Sequence, residues 1–261
     1  MSATVIVPLD GSDLSESALP VAEQLRSGLE GSITLLTSGW GSTVSDLEGY
    51  LSANAAMLDA PCTTVVVPDT FPATAIADSL GSPTDLVVMA THGRSGIGRA
   101  LLGSVAEDLL RRTDNTVVLL GPKASADTPI PGGRLLVTTD GSPRSAMILP
   151  TASRFARALQ MEVIVVTVGP PGGDDSTEEL ARAAAASVGF FRSEGGDATH
   201  QHLVGTDVVA AITALAEQLP AALIAMSTHG RGGIGRTTLG STTMKVVHSS
   251  ACPVIVERST S

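Results

Sequence analysis

The sequence predicts two tandem α/β domains, each an open, doubly wound parallel sheet flanked by helices. Three observations carry that prediction. Short apolar runs alternate with helix-compatible stretches, five of the first to four of the second, and the whole alternation occurs twice. A glycine-rich segment is also written twice, ATHGRSGIGRALLGS at Ala90 to Ser104 and STHGRGGIGRTTLGS at Ser227 to Ser241. Finally, a DGS triplet opens each copy, with Asp10, Gly11 and Ser12 recurring as Asp140, Gly141 and Ser142. The DGS triplets lie 130 positions apart and the glycine segments 137, so the second copy is longer by seven residues inserted between these landmarks. A period this long means duplicated domains rather than a solenoid.

In chain order, Thr4 to Leu9 is a continuous apolar run ending at Asp10, the pattern of a buried parallel strand followed by a turn. Ser15 to Leu25 carries Ala18, Leu19, Ala22 and Leu25 at helical spacing. Ser32 to Thr37 is the second strand, Leu47 to Leu58 a helix, Thr63 to Val67 the third strand and Ala73 to Leu80 a short helix. Leu86 to Ala90 is the fourth strand and feeds the glycine segment, after which come a helix at Ser104 to Arg112 and a fifth strand at Thr116 to Leu120.

Gly121 to Gly133 is rich in Pro, Gly, Ala and Ser and has no apolar period, so it reads as the linker. The expected division is residues 1–122, a linker at 123–133, and residues 134–261. In the second copy strands are expected at Leu135 to Thr139, Val163 to Thr167, Thr199 to Val204, Leu223 to Ser227 and Val254 to Glu257. Helices are expected at Ser145 to Leu159, Thr177 to Ser193, Val208 to Gln218 and Thr242 to Ser249. The inserted residues are expected in a mobile, acidic loop around Gly169 to Thr177.

Composition narrows the function. A formal net charge of −10 argues against a nucleic-acid or anionic-membrane binder, whose affinity rests on basic surface. No basic leader opens the sequence and no apolar run approaches a membrane span, so a cytoplasmic protein is expected. Two cysteines, Cys62 and Cys252, make no disulfide framework.

Strand, glycine-rich loop, helix is an arrangement suited to phosphate. Glycines bring backbone N–H groups close to an anion, and the helix adds unpaired N–H groups and a positive dipole end. Arg94, Arg99, Arg231 and Arg236 supply cations, and Ser104 and Ser241 supply hydroxyls where the helices begin. The GxxxxG[ST] strings at Gly98 to Ser104 and Gly235 to Ser241 lack the lysine of a P-loop.

In an open parallel sheet ligands lie beyond the carboxyl ends of the strands where the order reverses. If the first and fourth strands meet there, Asp10 or Asp140 faces the anion loop and accepts hydrogen bonds from a base or sugar. The competing role for each aspartate is a turn residue of its own DGS segment. His92 and His229 have no orienting carboxylate and read as loop braces. His200 and His202 alternate on a strand, but two ligands make no metal site.

These residues resemble the universal stress protein family in tandem form, nearly end to end. The match lies in the repeated DGS after a strand and in THGR(S/G)G with nine residues between its glycine and a following GS. The resemblance implies Rossmann-like domains of the HUP type, with strand order 3-2-1-4-5, paired through their fifth strands. It implies ATP with Mg2+, up to two per chain. In the first domain the implied contacts are Pro8, Leu9, Asp10, Met89, Ala90, His92, Gly93, Arg94, Gly103, Ser104 and Val105. In the second they are Thr138, Thr139, Asp140, Met226, Ser227, His229, Gly230, Arg231, Gly240, Ser241 and Thr242.

Ala90 and Ser227 stand where the family motif has its first glycine, and Ser38-Gly39 and Val168-Gly169 where His-Val is often found. The resemblance further implies a regulatory protein with little or no turnover, and a homodimer through fifth-strand edges. The alternatives are a slow ATPase or nucleotidyl transferase using the same crevice, and a partner-binding protein with vestigial sites.

Overall fold

The protein, a computed structural model, is described over residues 3–39, 42–91, 103–172, 175–228 and 240–258. Its first half runs β1 (Thr4–Pro8), α1 (Asp13–Glu16), α2 (Ala18–Gly28), β2 (Ser32–Gly39), α3 (Val44–Ala55), β3 (Cys62–Pro68), α4 (Pro72–Asp78), β4 (Leu86–Ala90), α5 (Ser104–Arg112) and β5 (Thr116–Leu120). The second half repeats it as β6 (Arg134–Thr138), α6 (Pro143–Ala146), α7 (Leu149–Ala158), β7 (Glu162–Gly169), α8 (Asp175–Ser193), β8 (Ala198–Val204), α9 (Val208–Gln218), β9 (Ala221–Ser227), α10 (Ser241–Ser249) and β10 (Val254–Glu257).

All ten strands form one sheet in the order β3-β2-β1-β4-β5-β10-β9-β6-β7-β8. Each half is parallel with order 3-2-1-4-5, as the resemblance implies. The halves join where β5 and β10 run antiparallel, with Val254 opposite Leu119, Ile255 opposite Val118 and Val256 opposite Val117. Both fifth strands are therefore consumed inside the chain. This corrects the expectation of a homodimer through fifth-strand edges, because a second chain finds no such edge to pair with. The physical demand is unchanged, since an apolar edge strand must be covered; the partner is the chain's own other half.

Strands β1, β4, β6 and β9 lie in the interior of the sheet, and their continuous apolar sequences, such as LVVMA and AALIAMS, are what burial on both faces requires. On one face α2, α3, α7 and α8 pack against Val5, Val7, Leu135 and Val163, with Phe155 and Phe191 the largest fully buried side chains. On the other, α4, α5, α9 and α10 cover Ile6, Val87, Leu136 and Ile224.

The linker is laced to both halves. The Ser125 N–H donates to Ala251 O (2.9 Å), Ile130 N–H to Gln24 Oε1 (2.7 Å) and Gly132 N–H to Leu159 O (2.8 Å), while Ile130 is buried in the shared core.

Two expectations are corrected. The helix after each DGS is not continuous, since α1 gives way to α2 and α6 to α7. Pro20 and Pro150 lie in the first turn of the second segment in each case, where a proline has no N–H to extend the preceding helix and its ring crowds the earlier carbonyl. The inserted residues, six of the seven of which fall between β7 and β8, do not build a long loop either: β7 runs to Gly169 and α8 starts at Asp175. They lengthen the helix instead, α8 having 19 residues where its counterpart α3 has 12.

Candidate functional site

β1 and β4 are hydrogen-bonded neighbours, with Val5 opposite Leu86 and Ile6 opposite Val87, and the strand order reverses between them. A cleft of about 290 Å³ opens at this switch point. That is the lower end of the size range for small-molecule sites. Pro8, Leu9, Asp10, Met89, Ala90, Gly103, Ser104 and Val105 all line it. The remaining first-half candidates, His92, Gly93 and Arg94, lie outside the described residues, as does Arg99.

The apolar wall comes from Leu36, Pro72, Ile76 and Met89, contributed by β2, α4 and β4. The polar end is the start of α5. Gly103 is its N-cap, in extended conformation (φ −66°, ψ 148°), and no side chain caps the helix. Ser104, Val105 and Ala106 line the cleft, and as the first turn of the helix their backbone N–H groups have no intrahelical acceptor. One end of the cleft is therefore an anion-favouring surface and the other an apolar slot.

The glycine segment is anchored at both ends of its base. The Thr91 N–H donates to Leu120 O (2.9 Å), and the Gly103 N–H donates to Thr91 O (2.8 Å). In the second half the Thr228 N–H donates to Glu257 O (2.9 Å), and the Gly240 N–H to Thr228 O (2.7 Å). In both halves the residue before the segment and the residue after it are thus joined by a main-chain hydrogen bond.

Asp10 makes the local turn that sequence reasoning set against a binding role. Its Oδ1 accepts from the Ser12 N–H (3.0 Å) and hydroxyl (2.6 Å), with Gly11 at φ 81°, a left-handed conformation that favours glycine. Asp140 does the same with the Ser142 N–H (3.0 Å) and Gly141 at φ 80°. Both aspartates shape the floor of the turn at a strand end, and Asp10 does so while lining the cleft.

Sequence reasoning missed Tyr50. Its hydroxyl accepts from the Gly11 N–H (3.2 Å) and donates to Glu16 Oε1 (2.8 Å), tying α3 to the DGS turn. Burial, reinforced by the Glu16 carboxylate, pushes the phenol up to about 12. The clue was compositional: this is the chain's single tyrosine, on a helix next to a conformationally special turn. Ser38 was noted only as a departure, yet its Oγ is buried beside the cleft without a hydrogen-bond partner among the described residues.

In the second half β6 and β9 are likewise neighbours, bringing Thr138, Thr139, Asp140, Met226 and Ser227 to one strand-end edge, with Gly240, Ser241 and Thr242 starting α10. His229, Gly230, Arg231 and Arg236 lie outside the described residues. The chemistry differs from the first half. Thr139 Oγ1 pairs with Ser145 Oγ (2.9 Å) and accepts from the Gly141 N–H (3.1 Å), where Leu9 offers no hydroxyl. Ser227 is buried with its Oγ unpartnered among the described residues, and its carbonyl accepts from Thr243 Oγ1 (3.0 Å). Among the described residues no three His, Cys, Asp or Glu side chains come together as a metal site, and no helix is long and apolar enough to cross a membrane.

These features define a class: tandem doubly wound α/β units with a ligand cleft at a topological switch point. The model of the universal stress protein family matches residues 52–121 and 133–258, and the chain belongs to that family. A universal stress protein of Mycobacterium tuberculosis is 30% identical over 191 residues, 69% of this chain and 63% of its own length. One from Mycolicibacterium smegmatis is 29% identical over 185 residues, 66% of this chain and 61% of its own length. The matched region thus spans less than two thirds of these relatives. Among solved structures, a universal stress protein from Archaeoglobus fulgidus superposes with a TM-score of 0.73 at 22% identity, covering 100% of both chains, which shows the shared fold.

Proposed function

We propose that the protein is an ATP-binding stress-response regulator, acting in the cytoplasm through two units at residues 1–122 and 134–261 joined by the linker at 123–133. The observation that carries this reading is the first cleft, which sets an apolar slot against an uncapped helix start at the switch point between β1 and β4. A purine ring suits the slot formed by Leu36, Pro72, Ile76 and Met89, and phosphates suit the N–H groups of Ser104 and Val105. The buried Ser38 hydroxyl, without a partner among the described residues, is a hydrogen-bonding group that a ligand can satisfy. Asp10 is the only carboxylate among the described lining residues and is placed for the sugar or for Mg2+ that accompanies the nucleotide.

No residue in this set is an obvious base, so the bound state itself is the output. Nucleotide orders the cleft and alters what a partner meets there. A second reading applies to the second half alone. Val168 replaces Ser38, and the buried Ser227 replaces Ala90 beside the strand end, so this half serves partner binding without nucleotide.

Calorimetric titration of Mg-ATP into the chain and its Gly103→Val variant tests the assignment. Gly103 has ordinary backbone angles, so the variant narrows the cleft without straining the turn. ATP binding by the parent and loss of it in the variant is the expected result. Equal affinity in both, or a parent that ignores ATP, removes the assignment.

A further inference from the structure

The two histidines on β8 meet in a way their spacing alone did not reveal. His200 and His202 project from the same face of the outermost strand, opposite β7, where His202 pairs with Thr167. Both rings turn onto the fully buried Thr167, His200 Nε2 lying 2.9 Å and His202 Nδ1 3.0 Å from its Oγ1. Gly169 makes room for this. A Cβ there would fall 2.8 Å from His202 Cε1 and 3.2 Å from Leu180 Cδ1, so a side chain would push the imidazole out.

The arrangement is not a demand of the fold. In the first half Thr37 occupies the Thr167 position and is also buried, but Thr64 and Val66 face it instead of imidazoles.

We propose that His200 Nε2 and His202 Nδ1, with Thr167 Oγ1 as third donor, bind a divalent transition-metal ion such as Ni2+ or Zn2+ on the outer edge of the second half. Donors around a tetrahedral ion with metal–nitrogen bonds of about 2.0–2.1 Å stand roughly 3.3 Å apart. The two nitrogen-to-hydroxyl separations are already within a few tenths of an ångström of that, so the ion requires the rings to turn from the hydroxyl toward a common point beside it. In the metal-free state the hydroxyl donates to one ring and accepts an N–H from the other. On binding, the N–H proton moves to that ring's other nitrogen, and both donors present lone pairs. His200 is exposed on its outer side, so water completes the coordination. Bound metal would pin the edge strand β8 to β7.

The test is calorimetric titration with NiCl2 of the full chain and of its His200→Ala, His202→Ala and double variants, with thermal melting in NiCl2 alongside. One ion per chain is expected, with affinity falling at least about 10-fold in each single variant, the scale on which even supporting groups of metal sites act. The melting temperature should rise with Ni2+ in the parent and not in the double variant. A parent that binds no Ni2+ overturns the proposal, and so does a double variant that keeps the parent's affinity, since the ion would then belong to other histidines.

Discussion

Gly121 is the position at which one added methyl group interrogates the seam between the halves. It follows β5 directly and lies against α10 of the other half, so that a Cβ built on it stands 1.8 Å from the carbonyl oxygen of Val247 and 2.9 Å from its carbonyl carbon. An ordinary carbon-to-oxygen contact is about 3.3 Å, so either β5 or the α10 backbone must retreat by roughly 1.5 Å. No side-chain rotation relieves this, because the obstacle is main chain. Overpacking of that kind costs about 1–3 kcal/mol or more. For a chain of this size each kcal/mol lowers the melting temperature by about 2–4 °C, so Gly121→Ala should melt about 2–12 °C below the parent. The control is Gly49→Ala in α3, where a Cβ meets nothing within 4 Å. That variant should gain about 0.5–1 kcal/mol from helix propensity. Differential scanning calorimetry of both at one protein concentration measures the contrast. A Gly121→Ala variant that melts within about 1 °C of the parent would refute the reading of a tightly fitted seam.

Other perturbations have equally definite outcomes. Asp85 is buried and accepts from the N–H groups of Thr4 (2.9 Å), Gly81 (2.9 Å) and Ser82 (2.8 Å), so Asp85→Ala should cost about 2–4 kcal/mol in urea denaturation. Burial raises the Glu257 carboxyl above its ordinary 4.5 despite Thr151 and Arg154 nearby. The folded state therefore holds this proton more tightly than the unfolded one, and stability is lost as pH rises from 4.5 through the folded value. Glu257→Gln should flatten that loss, raising the melting temperature at pH 7 and leaving it unchanged at pH 4, as read from melts across pH. Ser38→Val copies the second half into the first. It should leave or slightly raise the melting temperature while weakening ATP binding by about 1–2 kcal/mol, and a variant that binds ATP as the parent does would separate Ser38 from the ligand.

The fold was legible because burial on both faces leaves strands as unbroken apolar runs, and because the copying of DGS and of the glycine segment marked equivalent points in two units. The misreadings came from single residues with local consequences. Ala18, Leu19, Ala22 and Leu25 keep a helical period that masks the break Pro20 imposes just before it. The acidic, glycine-containing stretch after β7 suggested a loop, but most of the added length went into a helix whose inner face, with Leu180, Ala184, Val188 and Phe191, has a core to cover. At the site, strand ends and helix starts could be placed from the motif. Tyr50 and Thr167 could not, since their roles depend on which side chains meet across neighbouring elements. The competition over Asp10 also needed coordinates, because turn-making and lining a cleft are written with the same letter.

A pair of halves joined in one chain escapes two constraints that bind a pair of separate subunits. Dilution cannot part them, because the laced linker keeps each fifth strand beside the other at any protein concentration. Nor must any change appear twice. In an isologous dimer every substitution is imposed on both subunits by symmetry, whereas here Leu9 and Thr139, Ser38 and Val168, Ala90 and Ser227 stand at matching places as independent choices. The seam that fuses the two sheets therefore also frees the two units to specialise, the second having acquired hydroxyls at its strand ends and a pair of imidazoles on its outer edge where the first has neither.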